Sequence, residues 1–173
     1  MHMHGLAISN FLAIATVLAP IAALAGEIPA EGAIDSTLTY ISTPTTMPSA
    51  DGYEATVYDA SLVLTGNSSA SLLDRMAARC LLAGPNNQKS GAFRIAGWCT
   101  YSDRDGDMIF ASDEESAGSW SEPSKGSGKI LGGTGKYAGI TGAYTFTNDY
   151  FGSPKVGTYA GAGKKSGSYK IVK

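Results

Sequence analysis

The chain has 173 residues, a formal net charge of −2, 16% charged residues and 22 glycines. One domain is the expectation for that length. The low, slightly acidic charge excludes the clustered Lys and Arg that a nucleic-acid groove or a polybasic membrane patch needs. Few charges with many glycines suit a chain of tight turns better than a helical bundle.

Leu6 to Ala25 is an apolar run that ends in Ala23-Leu24-Ala25, just before Gly26. This is the small-x-small exit that a signal peptidase accepts. Residues 1–25 are therefore read as a signal peptide. The mature protein is read as exported, periplasmic or secreted, with no stable membrane insertion. The segment before the run, MHMHG, has no Lys or Arg. An uncleaved anchor is the other reading, since the run is long enough to cross a bilayer; Pro20 and the small-residue exit favour cleavage. Cleavage removes His2 and His4, the two histidines of the chain. A mature chain without His lacks Ser-His-Asp and Cys-His catalysis in their usual forms. It also lacks the commonest ligand of zinc, copper and haem iron, so neither a metal nor a cofactor is expected.

Residues 26–50 are rich in Ala, Pro, Ser and Thr and read as a loosely ordered lead-in, with a short strand at most over Thr37–Ile41. Residues 51–173 read as the folded domain. Tyr53–Thr65 is rich in Val, Tyr, Thr and Leu, which favours strand. Ser68–Gly84 is ambiguous, because Leu72, Leu73, Met76 and Cys80 recur at helical spacing. Gly84-Pro85-Asn86-Asn87 signals a turn. Gly91–Ser112 reads as two strands around an Asp-Gly turn at Asp103–Gly106, the second buried on both faces. Ile140–Tyr150 alternates, with Tyr144 and Phe146 on one face and Thr145 and Thr147 on the other. Tyr159 and Ser168–Val172 mark two more short strands. Short strands with short connections and no long amphipathic helix suit an antiparallel barrel or sandwich.

Cys80 and Cys99 are the two cysteines. An even count in an oxidising compartment reads as one disulfide, with Cα atoms about 5.5–6 Å apart. Cys80 must then reach the strand that holds Cys99, so Met76–Leu82 is expected to be strand in spite of its helical spacing. No thiol nucleophile remains once the bridge forms.

The string Gly132-Gly133-Thr134-Gly135-Lys136-Tyr137-Ala138-Gly139-Ile140-Thr141-Gly142 resembles the glycine-rich signature of the allene oxide cyclase-like barrels, relatives of the dirigent proteins. Gly97-Trp98-Cys99-Thr100 followed by Asp103-Arg104-Asp105-Gly106-Asp107 is similar to the exported bacterial members, and Gly161-Ala162-Gly163 and Gly167-Ser168-Tyr169 fit as well. The resemblance covers about residues 53–173. It implies an all-β fold: a single antiparallel eight-stranded β-barrel, calycin-like, with a central cavity. The carboxylate chemistry of the plant cyclase and the cavity chemistry of the dirigent proteins match no named positions here, so no catalytic residue is assigned.

Other constellations carry less. Asp103, Asp105, Asp107 and Glu114 partly copy a calcium loop, but Met108 stands where that loop needs Gly. A hairpin tip whose Asp side chains bond their own backbone fits better. Asp113-Glu114-Glu115 reads as a solvated strand end. GGTGKYAG lacks the Lys-Ser/Thr pair of a phosphate loop. The glycine string is therefore expected to shape the barrel end, with Tyr137 and Ile140 as plugs. The tyrosines and tryptophans either line an apolar cavity or fill the barrel. The expected function is a non-catalytic binding or structural module whose partner is a small hydrophobic ligand. An isomerase or cyclase acting on a lipid-derived or phenolic substrate is the alternative.

Overall fold

The structure is a computed structural model that describes residues 28–172; the signal-peptide reading of 1–25 lies outside them. Eight strands run in chain order: β1 Glu31–Pro48, β2 Tyr53–Gly66, β3 Met76–Asn87, β4 Phe93–Ser102, β5 Met108–Ala117, β6 Ser124–Gly133, β7 Ile140–Gly152 and β8 Tyr159–Ile171. Each pairs antiparallel with the next, and β1 pairs with β8 to close the barrel. The expected all-β, eight-stranded antiparallel barrel is what the chain forms.

One face of every strand points into the barrel, because side chains alternate along a strand. β3 shows the rule: Met76, Ala78, Cys80 and Leu82 are buried, and Ala77, Arg79 and Leu81 between them are exposed. The helical spacing of this segment loses because only the period-2 set reaches the interior. Strand begins at Met76 as expected. Leu72 and Leu73 sit in the preceding loop and are buried against the core.

The lead-in reading of residues 26–50 is wrong in the part that the structure describes. β1 covers Glu31–Pro48 and buries Ile34, Ser36, Leu38 and Ser42. The Ser and Thr that suggested looseness alternate with these and suit the outer face of a sheet. Pro44 and Pro48 survive because β8 pairs with β1 only as far as Ser42, so a missing N–H beyond that point costs no bond on that side.

Gly84-Pro85-Asn86-Asn87 is not the turn. All four belong to β3, and the β3–β4 ladder passes over Gly84 and Pro85 between Ala83↔Ala96 and Asn86↔Phe93. The turn comes later, where Asn87 Oδ1 accepts the N–H groups of Lys89 and Ser90. β5 is buried on one face: Ile109 and Ala111 point inward, whereas Phe110 is exposed. Tyr159 and the terminal segment are one strand, β8.

Cys80 and Cys99 form the disulfide. Their Cα atoms are 4.1 Å apart, closer than expected, because the two residues stand directly opposite in the β3–β4 register; such pairs approach to about 4.5 Å. In the chain-entropy account a loop of this length stabilises by about 3 kcal/mol.

One end of the barrel is closed. Leu72, Leu73, Tyr137 and Ile140 are buried there. The hairpin tip Asp103–Asp107 and the glycine string bind each other across it. Asp103 Oδ1 accepts the N–H of Asp105 and Asp107, while Asp103 Oδ2 holds Lys136 Nζ at 2.6 Å and the Tyr137 hydroxyl at 3.1 Å. The Asp carboxylates are thus occupied by backbone N–H groups, a lysine and a phenol. Gly135 has φ +52, and a Cβ there would lie 1.8 Å from Asp107 Oδ1.

Gly135→Val is expected to lower the melting temperature, through about 1–3 kcal/mol of backbone strain plus the clash with Asp107. Thermal unfolding followed by circular dichroism checks this. A variant with wild-type melting temperature would remove the structural role.

Candidate functional site

Inside the barrel, the strand alternation brings two charges together. The β4–β5 hairpin pairs Cys99 with Ala111, so the inward set of β5 is Ile109, Ala111, Asp113 and Glu115. On β8 the same rule turns Lys165 inward, opposite Phe146 of β7 and Ser36 of β1. Lys165 Nζ lies 2.8 Å from Asp113 Oδ2, and both residues are buried. Tyr144 donates its hydroxyl to Asp113 Oδ1 and meets the Tyr101 hydroxyl at 2.9 Å. The Lys165 ammonium also sits 4.3 Å from the ring centres of both Tyr144 and Phe146, a cation–π geometry. The Cys99 sulfur is 3.4 Å from Asp113 Oδ2; a disulfide carries no proton, so this is a contact and not a hydrogen bond.

Glycines make room for this cluster. Gly128 of β6 stands opposite Asp113 and Tyr144, and a Cβ there would lie 2.4 Å from the Tyr144 ring and 2.5 Å from Asp113 Oδ1. Gly126 does the same for the Phe146 ring.

The electrostatics favour a charged Lys165 beside neutral phenols. Burial pulls the Lys165 ammonium down, but Tyr101 and Asp113 beside it outweigh burial and leave it above its ordinary value. Burial, with neighbouring oxygens, pushes the Tyr144 hydroxyl well up. Burial also raises Tyr101, although Lys165 opposes it.

Above the pair lies a cavity of about 120 Å³, open at the end opposite the plug. Leu38, Ala60, Leu62, Leu82 and Ile95 form its apolar wall, and Asp113 and Lys165 are among the residues at its base. Glu115 stands one inward step higher on β5. Its Oε1 accepts the Ser124 hydroxyl and Asn148 Nδ2, the latter at 3.0 Å. Two buried oxygens of the lining residues have no partner: Ser42 Oγ and Asn148 Oδ1. Around the mouth, Tyr159 meets Tyr58, Trp120 and Tyr150 with ring centres 6.4, 6.1 and 5.5 Å apart. Trp120, on the β5–β6 loop, packs over Gly91, where a Cβ would come within 2.1 Å of the indole. Burial, then Glu115, raises the Tyr40 hydroxyl to about 12; burial, then Tyr159, raises Tyr58 to about 12.

The acidic run at 113–115 is therefore not a solvated strand end. Asp113 is buried, Glu115 faces the cavity, and Glu114 points outward toward Arg94. Neither Asp113 nor Lys165 stood out in the sequence. The signal was present in the alternation of Ile109, Ala111 and Asp113 away from the hairpin turn. Cys80, Cys99 and Asp113 form a cluster of metal-ligand type among the described residues, but the disulfide uses both sulfurs and leaves no thiolate to bind.

Lys165→Met is expected to destabilise by about 3–5 kcal/mol, because it strands a buried carboxylate. Adding Asp113→Leu is expected to recover most of that loss, as apolar replacement of a buried pair often does. Equilibrium urea unfolding of both variants reads the difference. A small cost for Lys165→Met alone would contradict the charged pair.

Stability is also expected to fall in alkali. Tyr40 and Tyr58 titrate near 12 in the fold against 10.0 ordinarily. A raised pKa gives stability that is full below about pH 10 and is lost as pH rises through about 12. Raised Lys165 acts in the same direction. Melting temperature against pH should be level from neutrality to about pH 10 and then drop.

No family model matches the chain, and no curated protein matches it.

Proposed function

We propose that the chain is an exported binding barrel, of the allene oxide cyclase-like type, whose open cavity holds a small hydrophobic ligand. The observation that carries this reading is an apolar cavity reached through an aromatic mouth, with the ion pair at its base satisfied within the protein. Asp113 already has a lysine and a phenol as partners, so it is not poised to take a substrate proton. The volume of about 120 Å³ is close to the roughly 150 Å³ at which an apolar cavity accepts benzene. It is below the range of about 300–1,000 Å³ for drug-sized ligands. A body of one ring, or a short chain, fits inside while any larger part stands between the mouth aromatics. The glycine string that carries the family resemblance sits at the closed end, away from this cavity, and supports the barrel type rather than a chemistry.

One observation favours the second reading, an isomerase or cyclase. The Glu115 carboxylate faces the cavity, and both its protein donors go to Oε1. A carboxylate so placed is the group a proton-transferring enzyme would use. Turnover of a hydrophobic substrate that Glu115→Gln abolishes, with binding retained, would move the assignment to that class.

Binding is tested by filling the cavity. Ala60 lines it and is buried. Benzyl alcohol titrated into the protein should shift the resonances of Tyr58, Trp120 and Tyr159 in a saturable way. Ala60→Leu should weaken that binding roughly tenfold or more by occupying the ring's place, while leaving the fold intact. Equal binding by the variant, or no saturable shift in the parent, would contradict a ligand cavity.

A further inference from the structure

The polar atoms of the cavity define which charge its ligand carries, an inference that rests on the binding reading above. We propose that the ligand is a small organic cation, an ammonium group attached to an apolar body of about one ring.

Three observations point the same way. First, the mouth is aromatic, with Tyr58, Trp120 and Tyr150 packed around Tyr159. Faces of such rings carry negative charge and hold ammonium groups. Secondly, Glu115 and Glu122 line the same space. Lys165 is the one cation among the lining residues, and it is buried and committed to Asp113. A carboxylate or phosphate would meet no uncommitted positive charge here. Thirdly, unsatisfied polar atoms belong to the lining residues, and one of them is an acceptor only. Asn148 Oδ1 can only accept, and its orientation is fixed because Nδ2 donates to Glu115. Ser42 is only 5% exposed, and its Oγ has no partner. Among the described residues no donor reaches Glu115 Oε2. An amide oxygen and a carboxylate oxygen without donors favour a ligand that supplies N–H groups.

The ring body enters between Leu38, Ala60, Leu82 and Ile95, and the ammonium stays at the level of Glu115, under the rings. Tyr40 and Tyr58 keep their protons near neutral pH, so their phenols add no charge to oppose or assist it.

The test uses three probes of one body and different charge: benzylamine, benzyl alcohol and phenylacetate. Trp98→Phe leaves Trp120 as the sole tryptophan, since the chain has two, and its fluorescence reports the mouth. Benzylamine should bind roughly tenfold tighter than benzyl alcohol, and phenylacetate more weakly than both. Glu115→Gln, which keeps the shape of the side chain, should erase the preference for the amine over benzyl alcohol. If that variant fails to fold, Glu122→Gln at the exposed rim should reduce the preference without touching the interior. Equal or tighter binding of the alcohol or of phenylacetate overturns the cation and leaves the binding reading standing. No response to any of the three overturns both.

Discussion

Pairing of β1 with β8 leaves the sheet without an edge, and the rest of the interior follows from that closure. Eight strands that each turn every second residue inward deliver a fixed set of side chains to one enclosed space. Most are apolar, as the core cluster of Ile, Leu, Tyr and Phe shows. The charged ones at its base are buried and find partners there. Asp113 and Lys165 do so across the barrel, with Tyr144 on the other carboxylate oxygen. A buried pair of this kind is not by itself a large source of stability. Its consequence is specificity: a one-residue slip of β5 or of β8 against its own neighbours would turn one of the two charges outward.

The two ends of the barrel divide the remaining work. At one end, the Asp103–Asp107 tip and the glycine string lock together through Lys136 and Tyr137 and carry the plug. At the other, four connecting loops surround the cavity, and Trp120 and Tyr150 remain partly exposed at its rim. The disulfide joins β3 to β4 inside the wall. Cys80 is among the cavity residues, and the Cys99 sulfur borders Asp113. Covalent closure there holds the wall against the ion pair.

Much of this was legible in the sequence, and the failures have physical causes. An antiparallel barrel or sandwich, the Cys80–Cys99 bridge, the Asp-Gly hairpin and the strand at Met76 followed from alternation, cysteine count and turn chemistry, and the single eight-stranded barrel was what the family resemblance implied. β1 was not legible, because Ser and Thr at outward positions look like loop composition until the partner strands are known. The turn at Gly84–Asn87 was misplaced because Gly and Pro mark any interruption of a ladder, and here they mark a gap in β3–β4 pairing. The interior charges were hidden for a related reason. A run such as Asp113-Glu114-Glu115 looks solvated, although period 2 sends its members to opposite faces. Lys165 stands beside Lys164, which points outward, and the pair reads as an ordinary surface patch.

The open end leads to an apolar space above an ion pair that is already satisfied. Xenon binds such spaces without regard to charge or shape detail. A crystal of the protein under xenon pressure should show an ordered atom between Leu38, Ala60, Leu82 and Ile95, with Asp113 and Lys165 unmoved. No xenon at that place, with the wall side chains packed into it, would contradict the account.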